Sequence, residues 1–418
     1  MRFYFPDSQD QIDPSFDFIS EEHSPLRVRQ RDDHYAHEVL DPTPYQGLLV
    51  SKAMIDRHGG AGRYSAQQRQ RFYRVGVREF FRLDSAPGPR IETLGDCGAF
   101  SYIDDPVPPY STDEVIDFYE STGFDAGVSV DHLIPDFKDD AQGQLLESPW
   151  QGRYDLTLKL AQEFLDRHRE RGCDFAPVGV VQGWSAATYA NAIERLQEMG
   201  YERIAIGGLV PLKTDQIVAV LEAIAKVRDP STQLHLFGVT LGKHASRFEH
   251  FGVTSFDSTS PFRRAFKDET ENFYVLDRAF TALRIPQVEG NPKLGARIRS
   301  GQVNQEEARG LEQAALAALR GFDRGKVDLG EALSALCEYE QLHEKDTNRH
   351  RGERYRETLT AAPWKECDCS VCREVGIEVA IFRGSERNKR RGFHNLHVFA
   401  KRLERAIETP DETLLAAA

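Results

Sequence analysis

Residues 176–209 read APVGVVQGWSAATYANAIERLQEMGYERIAIGGL. The apolar run Ala176 to Val181 is of strand type and stops at Gln182-Gly183. Ser185 then caps a helix that carries Tyr189, Ile193 and Leu196 on one face, the spacing of a 3.6-residue period. Arg203 to Ile206 is a second strand, and it stops at Gly207-Gly208. Two strands joined by a helix of this length run parallel, with the helix as crossover.

The same unit recurs on both sides. Upstream, Leu48-Leu49-Val50 reads as a strand and Ser65 to Arg82 as a helix. Ile91 to Leu94 is a strand ending near Asp96, followed by a helix from Thr112, its expected N-cap, to Ser121. Asp125 to Val130 is a strand ending at Asp131, and a helix over 152–171 repeats apolar residues at Tyr154, Leu158, Ala161 and Leu165. Downstream, a helix starts at Thr214, Leu234 to Val239 is a strand, and Ser255-Phe256 leads to Asp257. An open doubly wound sheet and a closed barrel both satisfy this alternation. Polar and glycine residues decide between them, because they follow strand after strand: Asp96, Asp131, Gln182, Gly207 and Asp257. A barrel gathers all its C-terminal strand ends on one rim, whereas an open sheet would scatter them. The expected fold is α/β, a (β/α)8 TIM barrel.

Composition sets the outer bounds. The chain has 418 residues, is 40% hydrophobic and 28% charged, and carries a net charge of -13. No apolar run is long enough to span a membrane, and the N-terminus has no secretory pattern, so a cytoplasmic location is expected. The negative charge argues against nonspecific coating of nucleic acid. The run from Arg383 to Arg405 is strongly basic, however, with only Glu386 and Glu404 opposing it, and reads either as a solvated helix face or as a phosphate-binding face.

Three of the six cysteines fall within Cys367-Asp-Cys369-Ser-Val-Cys372. Three thiols and one imidazole suit a tetrahedral zinc ion with no open position, hence a structural site. His394 is the expected fourth ligand, with His397 as its rival. Cys97, Cys173 and Cys337 are scattered and read as reduced thiols.

These motifs together resemble the tRNA-guanine transglycosylase family, whose zinc site ends in C-x-C-x2-C and His-Asn-Leu. Asp96-Cys-Gly-Ala-Phe100 resembles its Asp-Ser-Gly-Gly-Phe/Tyr motif, and Val130-Asp131 its Phe-Asp-Glu-Cys motif. Val181-Gln182-Gly183, Ile206-Gly207-Gly208-Leu209 and Leu236-Phe237-Gly238-Val239 resemble Val-Gln-Gly, Ile-Gly-Gly-Leu and Leu-Met-Gly-Val. Phe256-Asp257, with Pro261 and Arg263, resembles Phe-Asp-Cys-Val-Leu-Pro-Thr-Arg. The opening Phe-Tyr-Phe-Pro-Asp-Ser-Gln-Asp resembles the branch of the family that acts on DNA, inserting 7-cyano-7-deazaguanine (preQ0) in place of guanine as part of a modification and restriction system.

The resemblance implies roles. Asp257 would be the nucleophile that forms a covalent glycosyl-enzyme, and Asp96 the general acid/base. Asp131 would read the donor edge of the flipped base, and Gln182 with the backbone of Gly208 and Leu209 its carbonyl edge, while Gly183 and Gly207 would also bind the substrate. Phe100 and Phe237 would sandwich the ring, and Arg263 would hold a backbone phosphate. Partners would be DNA, guanine, preQ0 and accessory proteins of the same system. Exchange on tRNA is the rival substrate, and a noncatalytic zinc-containing nucleic-acid-binding subunit the rival class.

The expected organisation is an N-terminal extension over 1–45, a barrel over 46–290, a helical insertion over 291–362, and a zinc-binding region with a C-terminal helix over 363–418. The tail after Thr409 is expected to fray.

Overall fold

The computed structural model describes residues 1–60, 62, 64–86, 88–138, 148–342 and 348–409, and the expected frayed tail beyond Thr409 lies outside them. The chain divides into two compact units. The first comprises Met1–Gln9, Tyr45–Thr259 and the C-terminal segment from Leu403. The second comprises Asp10–Pro44 and Ser260–Arg402.

The first unit holds a closed barrel of eight parallel strands in chain order. The strands are β1 (Arg2–Pro6), β2 (Gly47–Ser51), β3 (Glu92–Asp96), β4 (Ala126–Val128), β5 (Ala176–Val181), β6 (Arg203–Ile206), β7 (Gln233–Leu236) and β8 (Val253–Asp257). Pairing of Tyr4 with Asp257 and of Phe3 with Phe256 closes the ring. Tyr4, Leu49, Leu94, Ala126, Val128, Val178, Val180 and Ala205 form its buried cluster. Alternation along each strand sends these residues to one side, which fills a barrel rather than opening a pore.

The boundary expected at residue 45 is corrected. Arg2–Pro6 is not an extension but the first strand, with Phe3, Tyr4 and Phe5 buried. It escaped the sequence reading because no full-length crossover helix follows it. The chain leaves for the second unit at Asp10 and re-enters only at Tyr45.

Helices cover the barrel where their apolar faces predict. The helix Gln151–Arg171 buries Tyr154, Leu158, Ala161 and Leu165. The helix Thr112–Thr122 is capped by Ser111, whose side chain accepts from the Glu114 amide, so Thr112 is the first helical residue and not the cap. Its Tyr119 occupies the space that a side chain at Gly95 or Gly127 would need, and donates its hydroxyl to the Val128 carbonyl at 3.0 Å. Gly95 is therefore a packing residue.

The second unit is mainly helical, with Gln305–Asp323 and Leu329–Gln341 within the span 291–362 that was expected to be helical. A longer helix, Gly384–Glu408, runs through the basic stretch. Arg383, Arg387, Arg390 and Arg391 are buried. Neither sequence reading of this run fits them. Arg387 pairs with Glu21 and Glu378, each at 2.6 Å, and Arg383 pairs with Glu21 and Glu312. Arg390 binds Glu386 at 2.8 Å and the Asp13 carbonyl at 2.7 Å. Arg391 donates to the carbonyls of Ala265, Val379 and Ile381. Burial alone would raise the Glu21 carboxyl, but the Arg383 hydrogen bond and its neighbours draw it down to about 2. These guanidiniums hold the segment Asp10–Pro44 within its unit.

Among the described residues no helix is long and apolar enough to cross a membrane.

Candidate active site and candidate metal centre

The C-terminal ends of the barrel strands enclose a cavity of about 440 Å³. Its lining includes Asp96, Phe100, Asp131, Gln182, Gly207, Gly208, Phe237 and Asp257. Residues spread over 162 positions of chain (96 to 257) thus meet on one rim, as strand ends of a closed barrel must.

Asp131 sits at the centre of a hydrogen-bond cluster. Its Oδ2 accepts from Gln182 Nε2 at 2.7 Å, and its Oδ1 accepts from the Cys97 thiol at 3.2 Å. The Tyr102 hydroxyl contacts Cys97 Sγ at 3.0 Å and the Asp131 carbonyl at 3.2 Å. Burial raises the Asp131 carboxyl above its ordinary value, against the pull of its Cys97 and Gln182 partners.

Asp96 ends β3. Burial, then the charges of Asp131 and Asp257, push its carboxyl up to about 7, while the Gly98 and Cys97 amides oppose the rise. A carboxyl titrating near neutrality can both give and take a proton at working pH. Gly98 adopts φ +91°, and a side chain there would collide with Ser51 and Ala53. It serves the turn after Asp96.

Asp257 ends β8. Its Oδ1 accepts from the Gly238 amide at 3.0 Å and lies 3.3 Å from His235 Nε2.

The glycines after β6 have steric reasons. A side chain on Gly207 would run into the Gln182 amide. One on Gly208 would meet the Tyr189 hydroxyl at 2.8 Å and Gln182 Oε1 at 2.9 Å, and the backbone there has φ +75°. Tyr189 donates to the Gly207 carbonyl at 2.8 Å, fixing this stretch.

Phe100 is 71% exposed, while Phe237 is half-buried against the barrel's interior cluster. Gly183 and Leu209, expected at the site, do not line the cavity. Thr188 and Tyr189 fill the space beside Gly183, and the Leu209 side chain is buried. Arg263 is exposed on the helix Ser260–Lys267 of the second unit.

His235, Cys97 and Tyr102 were missed. A histidine in a buried strand, two residues before Phe237, was the available signal. Period-two alternation puts both on one face.

In the second unit, Cys367, Cys369, Cys372 and His394 converge, with all ligand atoms within 4.8 Å of one another. His394 Nδ1 lies 3.4, 3.6 and 3.3 Å from the sulfurs of Cys367, Cys369 and Cys372. A tetrahedral ion with ordinary metal–sulfur and metal–nitrogen bonds places these atoms about 3.6 Å apart. His394 Nε2 faces the Tyr274 carbonyl at 2.8 Å, and that bond leaves the Nδ1 lone pair for the ion. Phe273 stacks on the ring at 4.2 Å. His397 instead pairs with Asp368 at 3.0 Å, so His394 is the residue that completes the set of three sulfurs and one nitrogen. The four residues fit a metal ion with no coordination position left open.

The profile of the family described as Queuine tRNA-ribosyltransferase matches residues 98–408. A DNA-guanine transglycosylase of Salmonella montevideo is 45% identical over 419 aligned positions, covering 99% of each chain. A queuine tRNA-ribosyltransferase of Psychrobacter cryohalolentis is 31% identical over 113 residues, 27% of this chain and 30% of its own. With one profile spanning most of the chain and a relative matched from end to end, this protein belongs to the queuine tRNA-ribosyltransferase family, on the branch of that full-length relative, and is an enzyme of the transglycosylase type.

Proposed function

We propose that this protein exchanges guanine in DNA for the 7-deazaguanine base preQ0, within a DNA-modification system that includes accessory proteins. The observation that carries the reading is the meeting of Asp96, Asp131, Gln182 and Asp257 in one cavity, in a chain matched end to end by a DNA-guanine transglycosylase.

The target nucleotide leaves its stack to enter the cavity. Asp131 accepts from the purine's N–H edge, and the Gln182 amide, with the Gly208 backbone, faces its carbonyl. Phe100 and Phe237 take the two faces of the ring. An exposed Phe100 is available to stack on an incoming base.

Asp257 attacks the anomeric carbon. The new C1′–O bond forms as the C1′–N bond breaks, and its electron pair leaves with guanine, which takes a proton from Asp96. The transition state has oxocarbenium character, as in retaining glycosidases. The entering base then gives its ring-nitrogen proton to Asp96, bonds C1′, and releases Asp257 as a carboxylate. A carboxyl drawn up to about 7 suits both proton transfers.

Zinc, held by Cys367, Cys369, Cys372 and His394, would be structural, since the donor set is closed. The retained pair Asp96 and Asp257 argues against a noncatalytic subunit.

The test is base exchange by the purified, zinc-loaded protein, with radiolabelled guanine or preQ0 and separate pools of duplex DNA, single-stranded DNA and tRNA. Label in DNA is expected. Label in tRNA alone would keep the chemistry and overturn the substrate.

A further inference from the structure

His235 lies on β7 and is 5% exposed. Its Nδ1 stands 2.9 Å from Ser255 Oγ, and its Nε2 stands 3.3 Å from Asp257 Oδ1. Tyr4 and Phe237 each pack edge-on with the ring, at centroid distances of 5.5 and 4.9 Å. The same Oδ1 accepts from the Gly238 amide at 3.0 Å, at a glycine whose backbone is left-handed, φ +69°. Two donors thus converge on one oxygen of Asp257. Among the described residues no hydrogen bond is recorded to Oδ2.

We propose that His235 is a positioning residue for Asp257: it anchors Oδ1 so that Oδ2 alone meets the sugar, and it assists the carboxylate's departure from the glycosyl-enzyme. The proposal rests on the nucleophile assignment made above. In the first half-reaction an Oδ2 lone pair forms the bond to C1′, and Oδ1 becomes the ester carbonyl oxygen. In the second half, the entering nitrogen bonds C1′, the C1′–Oδ2 pair returns to the carboxylate, and negative charge reappears on Oδ1. Donors already aimed at Oδ1 stabilise that returning charge without reorganising. The required tautomer carries its proton on Nε2, with Nδ1 accepting from the Ser255 hydroxyl.

His235→Phe keeps the ring and removes the N–H, whereas His235→Gln keeps an N–H on a neutral side chain. Both are assayed as full-length, zinc-loaded protein exchanging labelled guanine into guanine-containing DNA, with covalent protein–DNA adduct scored on denaturing gels. For His235→Phe, kcat is expected to fall about 100-fold, with KM for DNA unchanged and a larger steady-state fraction of adduct. His235→Gln is expected to recover most of the rate. A merely structural role would not raise the adduct fraction, nor separate kcat from KM. Wild-type turnover in His235→Phe, or a loss without adduct accumulation, overturns the proposal. Asp257→Asn is run beside them. If it still exchanges guanine, the nucleophile reading has failed. If it is inactive while His235→Phe is unimpaired, only the role of His235 falls. A crystal structure of His235→Phe gives a second readout. The Asp257 carboxylate is expected to lose its single orientation, and an unchanged rotamer counts against the proposal whatever the kinetics.

Discussion

Gln182 donates its side-chain amide to Asp131 across 2.7 Å, tying together the segments that leave two neighbouring barrel strands. The contact sets an acceptor and a donor side by side at the cavity wall. Asp131 is kept in place from its other side by the Cys97 thiol at 3.2 Å. In the reading proposed above, a purine edge that offers N–H groups beside a carbonyl would meet the complementary pair already oriented, with little ordering left for the moment of binding.

Gly207→Ala tests that pair without replacing either member. The added methyl would overlap the Gln182 amide, which can swing away only by giving up Asp131. Exchange is expected to show KM for the base raised about tenfold, the scale of one lost hydrogen bond, and thermal stability is expected to fall as well, because the buried Asp131 loses a partner. An unchanged KM would remove Gln182 from base reading.

Asp257→Ala is expected to abolish exchange, because no other group in the lining lies in the same position at the end of β8. Circular dichroism and zinc content should match wild type. Full activity in this variant would end the nucleophile assignment.

Asp96 carries a pH signature. Its folded-state pKa of about 7 lies above the ordinary 3.8, so the fold prefers the protonated acid. The stability it contributes is complete below about pH 4 and is lost as pH rises through 7. Asp96→Asn mimics the protonated form. Chemical denaturation should find it more stable than wild type at pH 8, by up to about 3 kcal/mol after allowance for partial exposure, with the difference vanishing toward pH 4. Its exchange rate should fall about 100-fold or more, the usual yield of a general acid. A stability difference that grows toward acid pH would contradict the burial of this carboxyl.

Cys369→Ser removes one of three sulfurs from the metal cluster. Zinc content, read by atomic absorption, and melting temperature are expected to fall together, since ion binding and folding of the surrounding loops are one equilibrium. Unchanged zinc would show that the ion is held elsewhere.

Arg387→Met removes the partner that Glu21 and Glu378 share, leaving Glu21 to Arg383 and Glu378 to Arg320. Breaking a buried ion pair from one side costs at most about 3–5 kcal/mol, and less where a second arginine remains, so a loss of about 2–3 kcal/mol is expected. Urea denaturation should report a loss of that order. A loss below about 1 kcal/mol would mean that the network is dispensable.

Local pattern made much of the barrel legible before any coordinates. Strands and helices from residue 47 to 257 follow from alternation, and Asp96, Asp131, Gln182, Gly207 and Asp257 stand at strand ends that a closed sheet brings to one rim. The cysteine cluster was legible for the same reason: three ligands within six residues are a local feature. What was misread depends on partners far along the chain. Arg2–Pro6 looks like part of an extension until its pairing with the strand that ends at Asp257 is seen. Arg383, Arg387 and Arg391 look like a basic surface until Glu21, Glu378 and the backbone carbonyls are seen beside them.

By itself, then, the order of residues determined the repeating strand–helix unit, the rim position of the acidic side chains and the three-sulfur cluster. Each is set by dihedral preference, period and short-range spacing, which act within a few residues. Only the tertiary structure decided that Arg2–Pro6 closes the barrel, that His394 rather than His397 faces the sulfurs, that the arginines of the last helix are buried, and that His235 lies against Asp257. Those outcomes depend on which distant groups share a low-dielectric space, and charge, burial and hydrogen bonding acquire their sign only once that space is closed.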